Sequence, residues 1–259
     1  MAEKISTGMR NWKLGGGSIR EALEDCVMKI YSGTPPDSAD DAASGTLLVT
    51  ITKDSGTVAT TERSTWNRWG FLIATGHTEG NTVAVNITID GVGPTTYTYT
   101  ILAEDTTDEK VAEKVARMLD DVRPLRAICV GSVINARTVV LQPQVKGIAM
   151  VVEDGGGDYA IAVAEIEVGS RSDALYFGAP SSGSMSKSTD TWSGTIANSG
   201  TAGYFRFVRP DDDGTESTTA IRIQGAIATS GAEYNIANLS LTATQTHTVD
   251  DYSITEPAE

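Results

Sequence analysis

The sequence predicts a mainly β protein: a discontinuous, antiparallel β-sandwich-like outer domain carrying a small inserted α+β domain of order ββαβββ. Three observations predict it. Residues 199–236 hold two short runs, 204–208 and 220–227, separated by a polar loop rich in turn residues. In the second run Ile221, Ile223 and Gly225 alternate with Arg222, Gln224 and Ala226, the period-two pattern of a strand with one buried face. Residues 81–102 form a second alternating pair around Gly91-Val92-Gly93-Pro94, and a capped helical pattern follows at once. With 26 glycines and only 6% aromatic residues in 259, the composition is that of a β-rich, turn-rich chain of one large or two ordinary domains.

The elements follow in order. Residues 1–17 read as a polar leader ending in a Gly15–Gly17 triplet, flexible until docked. Ser18 and Glu21 have capping-box spacing and start a short helix with Ile19, Ala22, Leu23 and Cys26 on one face. Residues 27–31 leave it as a strand, 32–44 form an extended acidic loop containing Pro35-Pro36, and 47–52 alternate as the next strand. Then the inserted module begins. After its hairpin, Thr106 and Glu109 make a second capping box, and Val111, Val115, Met118, Leu119 and Val122 repeat at helical spacing up to Pro124. Three strands, 126–131, 138–142 and 148–153, complete it. A further strand, 159–168, leads back to the outer domain. The expected division is 1–17 leader, 18–60 with 170–259 outer domain, and 61–169 insert with its core at 80–154.

Composition removes several classes of function. A net charge of −14 argues against nucleic acid and against an anionic membrane surface, since phosphate binding rests on clustered Lys and Arg. No apolar stretch approaches the ~20 residues of a membrane span, and the opening residues lack a signal-peptide core, so assembly in a cytoplasm is expected. Cys26 and Cys129 make no disulfide framework; two buried thiols are the simpler reading, with a bond between them left open.

Chemical candidates are few. His77 and His247 stand far apart, and neither has a nucleophile-elbow pattern or a nearby Cys pair, so neither a triad nor a zinc site is indicated. Asp211, Asp212 and Asp213 before Gly214 form the most suggestive cluster, a weak calcium candidate without EF-hand spacing; a solvated turn is the plainer reading. The glycine triplets lack the strand–turn–helix setting of a dinucleotide site. Carboxylate pairs for glycoside hydrolysis cannot be nominated among 34 acidic residues, because the deciding quantity is a spatial separation. Trp66, Trp69 and Phe71 either pack the seam between modules or anchor a neighbouring subunit, and Trp192 is a further interface candidate. No enzyme, cofactor or metal is expected.

Several stretches also resemble a known family. Gly200-Thr-Ala-Gly-Tyr-Phe-Arg-Phe207, Arg222-Ile-Gln-Gly-Ala-Ile-Ala-Thr-Ser-Gly-Ala-Glu-Tyr-Asn-Ile236 and Thr248-Val-Asp-Asp-Tyr-Ser-Ile-Thr-Glu-Pro257 look like a family of small virion proteins of tailed bacteriophages. Met28-Lys-Ile-Tyr-Ser-Gly-Thr-Pro-Pro36 with Ala43-Ser-Gly-Thr-Leu-Leu-Val-Thr-Ile-Thr52 is similar to its opening strand pair. Phe177-Gly-Ala-Pro180 and Thr191-Trp-Ser-Gly-Thr195 fit the same pattern. The resemblance covers roughly residues 5–58 and 172–256. The insert, with its Tyr97-Thr-Tyr-Thr100 hairpin before a capped helix, resembles a compact domain of phage tail and other virion proteins. The resemblance implies a virion structural protein, assembled in the host bacterial cytoplasm as a symmetric homo-oligomer with other virion proteins. Neck, collar or tail is the expected position; the alternatives are a capsid decoration protein or a displayed receptor- or carbohydrate-binding module. A cell-wall hydrolase is a more distant reading.

Overall fold

The computed structural model describes residues 3–59, 64–73, 77–122, 125–130, 138–143 and 146–256, with the side chains of 126–130 outside that description. In chain order the elements are β1 (Lys4–Ile5), α1 (Thr7–Leu14), α2 (Ile19–Ala22), β2 (Val27–Ser32), β3 (Leu47–Lys53), β4 (Arg68–Ile73), β5 (Thr82–Ile89) and β6 (Val92–Thr100). Then come α3 (Asp108–Asp120), β7 (Leu125–Val130), β8 (Thr138–Pro143), β9 (Met150–Asp154), β10 (Ile161–Glu167), β11 (Ser184–Ser186) and β12 (Trp192–Thr195). The last are β13 (Gly200–Val208), β14 (Ile223–Ala228), β15 (Tyr234–Asn235), β16 (Ser240–Leu241), β17 (Thr246–Val249) and β18 (Ser253–Thr255). Strand makes up 42% of the chain and helix 11%, in antiparallel sheets with no barrel, so the protein is mainly β and sandwich-like. Contacts divide it into two compact units, Met1–Arg63 with Ser172–Glu259, and Ser64–Arg171.

The first unit is built on a sheet of order β1-β14-β13-β2-β3-β12-β17, with β15 on β14 and β16 on β13. Alternation sorts its side chains. Met28 and Ile30 lie opposite Phe207 and Phe205, which lie opposite Ile223 and Gly225, and this face forms the core with Val49, Ile51 and Trp192. Leu175, Phe177, Met185, Tyr252 and Ile254 pack onto it, the last of these on β18, which pairs β11. Phe177 and Trp192 meet edge-on with ring centroids 5.0 Å apart, as do Phe205 and Tyr252 at 5.5 Å, the arrangement aromatic quadrupoles favour. Gly203 sits where the β13–β2 register shifts, and a Cβ there would lie 1.8 Å from the Gly33 carbonyl oxygen. Only glycine permits that approach.

The leader is docked on its own unit. β1 pairs β14, Ser6 caps α1 by accepting from the Met9 N–H, and Met9 is buried in the core. The Ser6 hydroxyl also accepts from the Arg222 N–H at 3.0 Å and donates to the Ala220 carbonyl at 2.7 Å. The capping box of α2 forms as its spacing indicates, but the helix ends at Ala22 rather than continuing to Cys26. Asp25 turns the chain with φ of 57°, and Cys26 instead bridges Leu175.

The second unit has two sheets around one core, β6-β5-β9 and β10-β4-β8-β7, where the sequence indicated one sheet of five strands. The difference is β4, unread as a strand, and β10, which pairs β4 within this unit. Arg68-Trp-Gly-Phe-Leu-Ile73 is a short apolar run, and such runs carry no period-two signal. Helix α3 buries Val111, Ala112, Val115, Ala116 and Leu119 among residues of both sheets. Its N-cap is Thr107, one residue later than the capping box indicated. The β5–β6 turn is tighter than a four-residue loop: Ile89 faces Val92 directly. Asp90 and Gly91 make the turn with φ of 49° and 75°, the two positive values a type I′ hairpin requires.

Candidate functional site

The second face of the outer sheet carries the most concentrated chemistry in the chain. Alternation fixes its members: Lys29 lies opposite Arg206, Arg206 opposite Gln224, and Gln224 opposite Lys4, a polar row across four adjacent strands. One row along, Tyr31 stacks on Tyr204 at 5.0 Å. The sequence pattern assigned Arg222 and Gln224 to the face opposite the buried one. In the structure Arg206, Arg222 and Gln224 are each only 1% exposed. Two loops fold over them, the acidic one between β2 and β3 and the one between β13 and β14.

The row holds those loops by their carbonyls. Gln224 Nε2 donates to the Pro36 oxygen at 2.8 Å, Arg206 Nη1 to that of Asp41 at 3.0 Å, and Lys29 Nζ to that of Asp212 at 2.7 Å. Arg206 Nε donates to Gln224 Oε1 at 2.7 Å, which fixes the amide's orientation. Arg222 forms a fork on the Asp212 carboxylate at 2.7 and 2.8 Å and donates to the Thr215 carbonyl at 2.7 Å. Its Nη1 reaches the carbonyls of Ala39, Asp40 and Asp41 at 3.3 to 3.4 Å. The Tyr204 hydroxyl donates to the Ser44 carbonyl at 2.6 Å and accepts its N–H at 2.9 Å. Burial lowers the Lys29 ammonium below its ordinary value, with Asp212 opposing that fall. Burial likewise lowers Arg206.

At the rim, Asp40 ties the acidic loop to α1. It accepts from the Thr7 N–H and hydroxyl at 2.8 and 2.7 Å. Burial acts to raise its carboxyl, but these hydrogen bonds, with Arg10 and Arg222 nearby, outweigh it and hold the group below its ordinary value.

This geometry answers the calcium candidate. Asp212 is bound bidentately by Arg222, with side chains 1% and 5% exposed, and Asp213 turns back to accept the Thr215 N–H and hydroxyl at 2.9 and 2.7 Å. Both carboxylates are thus engaged within the protein, and among the described residues no three His, Cys, Asp or Glu side chains form a group that could hold a metal ion. Consecutive residues of a turn point apart, whereas a hard cation needs six or more oxygens around one point.

The proposed interface aromatics are internal to varying degrees. Trp192 is fully buried in the outer core and Phe71 is 1% exposed in the core of the second unit, so neither is a free anchor on this chain. Both lie on strands whose apolar face is inward. Trp69 is half-buried, its indole N–H donating at 2.8 Å to the Met150 carbonyl and to Asn67 Oδ1. Trp66 is half-buried, with the Lys146 ammonium 5.7 Å from its ring centroid.

His77 lies 3.2 Å from Asp108, and His247 Nε2 lies 3.2 Å from the Tyr234 hydroxyl. His247 sits in a groove of about 430 Å³ with Asn235, Asn238, Gln245 and Asp250. Burial lowers its pKa, partly offset by Asp250, and burial raises Tyr234, so both are neutral near pH 7. Cys26 is free and buried, its thiol pushed far up first by burial and then by Asp25; the Cys129 side chain lies outside the described residues. No helix among the described residues is long and apolar enough to cross a membrane.

The row itself escaped the sequence analysis. The available signal was Arg206 within an aromatic strand and Arg222 sixteen residues on, but alternation says which side chains share a face and not what covers it. No protein-family model matches the chain, and no curated protein matches it.

Proposed function

We propose that this chain is a structural component of a tailed-phage virion that assembles in multiple copies at the neck, collar or tail. The observation that carries the reading is what the family-like residues do. Phe205 and Phe207 fill the core, while Arg206, Arg222 and Gln224 hold the β2–β3 loop and Arg222 also holds the β13–β14 loop. In the runs at 200–207 and 222–236 the motif side chains serve the scaffold, as expected of a protein selected for shape. The net charge of −14 accords with partners that are proteins, other virion components and copies of itself, rather than nucleic acid or an anionic membrane. No catalytic step is assigned to it. The alternatives are a capsid decoration protein and a displayed receptor- or carbohydrate-binding module. Mass spectrometry of purified particles, followed by imaging with a bound antibody, tests the reading. Several copies per particle at the neck or tail are expected; labelling over the capsid selects the decoration reading. A chain abundant in the infected lysate but absent from particles sinks the proposal.

A further inference from the structure

We propose that the free edge of β6 pairs with β6 of a second copy, antiparallel, about a two-fold axis through Thr98. This deepens the reading above and rests on its premise that the chain associates with itself.

The edge is bare over residues 95–100. β6 ends the three-stranded sheet, so one row of its backbone N–H and C=O groups has no strand partner among the described residues. Its nine residues are all exposed or half-exposed. Exposed edges are normally blunted by charge, proline or a bulge. Here residues 91–103 carry no charge, and the bulge, which sets Gly93 and Pro94 of β6 against Thr88 of β5, falls with the proline at the turn end and leaves residues 95–100 in regular register. A net charge of −14 opposes association of identical copies through their charged surfaces. This edge carries no charge to oppose it, and its Thr96–Thr100 pattern is complementary to itself about a two-fold, which selects a second copy as its occupant.

The side-chain pattern then selects the axis. Tyr97 and Tyr99 are half-buried against their own core, while Thr96, Thr98 and Thr100 are exposed on the other face. A two-fold perpendicular to the sheet keeps the faces matched and must pass through a residue. Centred on Thr98 it sets Thr96 against Thr100, Tyr97 against Tyr99 and Thr98 against itself. Thr–Thr and aromatic–aromatic pairs are among those that stabilise cross-strand contacts. Pro94 would then face Leu102, beyond the end of β6 at Thr100. Centred on Tyr97 instead, Pro94 would fall inside the paired span, where it lacks an N–H to donate. The product is one six-stranded sheet, β9-β5-β6-β6-β5-β9, an isologous interface of the commonest symmetric kind.

Sedimentation velocity and cysteine trapping test this on the full chain, up to about 1 mM protein because an edge this short is a small interface. Mild oxidation of Thr98→Cys is expected to give a covalent dimer well above the background of the unsubstituted chain. Thr96→Cys is expected not to, since two copies of residue 96 would lie about 14 Å apart at about 3.4 Å per residue, beyond disulfide reach. Thr98→Lys sets two ammonium groups face to face and is expected to weaken the dimer at least tenfold. Thr98 is exposed, and circular dichroism checks that each variant folds. Equal trapping of the two cysteine variants, a dimer indifferent to Thr98→Lys, or a monomer throughout with no trapping overturns the pairing. A chain found in particles that fails here keeps its structural role and loses this interface; one absent from particles that passes keeps the interface and loses the role.

Discussion

Replacing Asp212 with alanine removes the carboxylate on which Arg222 forks. The two side chains are 1% and 5% exposed, so the guanidinium cannot turn to water. It keeps the Thr215 carbonyl at 2.7 Å and three longer carbonyl contacts but loses both charge-assisted bonds. Bonds to charged groups are worth about 1.5–3 kcal/mol each, and breaking a buried pair from one side costs about 3–5 kcal/mol. The expected loss is therefore about 3–5 kcal/mol, a large share of the roughly 5–15 kcal/mol that holds a domain folded. The companion change Arg222→Met, made together with Asp212→Ala, removes the stranded charge and is expected to restore part of that loss. Native-state hydrogen exchange, read on β2 and β13 amides as urea is raised, reports the unfolding free energy of the outer unit. Peptides spanning 34–44 and 209–219 should lose protection first, because the pair holds those loops. A loss below about 1 kcal/mol, or a double variant no more stable than the single one, would refute the reasoning.

Three further outcomes are expected. Trp192→Ala should destabilise the outer unit by about 3–5 kcal/mol, as truncation of a fully buried aromatic does; urea midpoints check it, and a surface-like effect below 1 kcal/mol would contradict the placement. Asp40→Asn should lower stability at neutral pH. The folded carboxyl lies below its ordinary value of 3.8, so its contribution is full above that value and fades as pH falls through the folded pKa; melting curves across that window should converge. Glu3 should show the opposite sign. Burial raises its carboxyl above 4.5, opposed by the Tyr252 hydroxyl and helped by Glu233 and Glu256, so the parent chain loses stability as pH rises through the folded pKa. Glu3→Gln should flatten that slope in pH-dependent unfolding, and an unchanged slope would remove Glu3 as its source.

Local chemistry was the legible part. The capping box at Ser18–Glu21 and the apolar stripe of Val111, Val115 and Leu119 depend on neighbours within one or two turns, and both form in the structure. The alternation in β13 and β14 holds in the same way, with Phe205, Phe207 and Ile223 inward. β4 was not legible, because its apolar run has no polar face to set a period. The α2 cap was read correctly and its end was not, since Cys26 is drawn into a bridge with Leu175, 149 positions away.

The sequence by itself determined the mainly β class, most of the strands, the principal helix and which side chains share a face, because those follow from backbone geometry and from residues close in the chain. Only the tertiary structure decided what lies against each face. Arg206, Arg222 and Gln224 read as the polar face of a strand until the adjoining β13–β14 loop and the β2–β3 loop, 165 or more positions away, cover them and accept their donors. Trp192 read as a candidate anchor until β12 is set between β3 and β17. Burial is a property of the partner surface, and partner surfaces come from long-range closure of the chain, which no local pattern encodes.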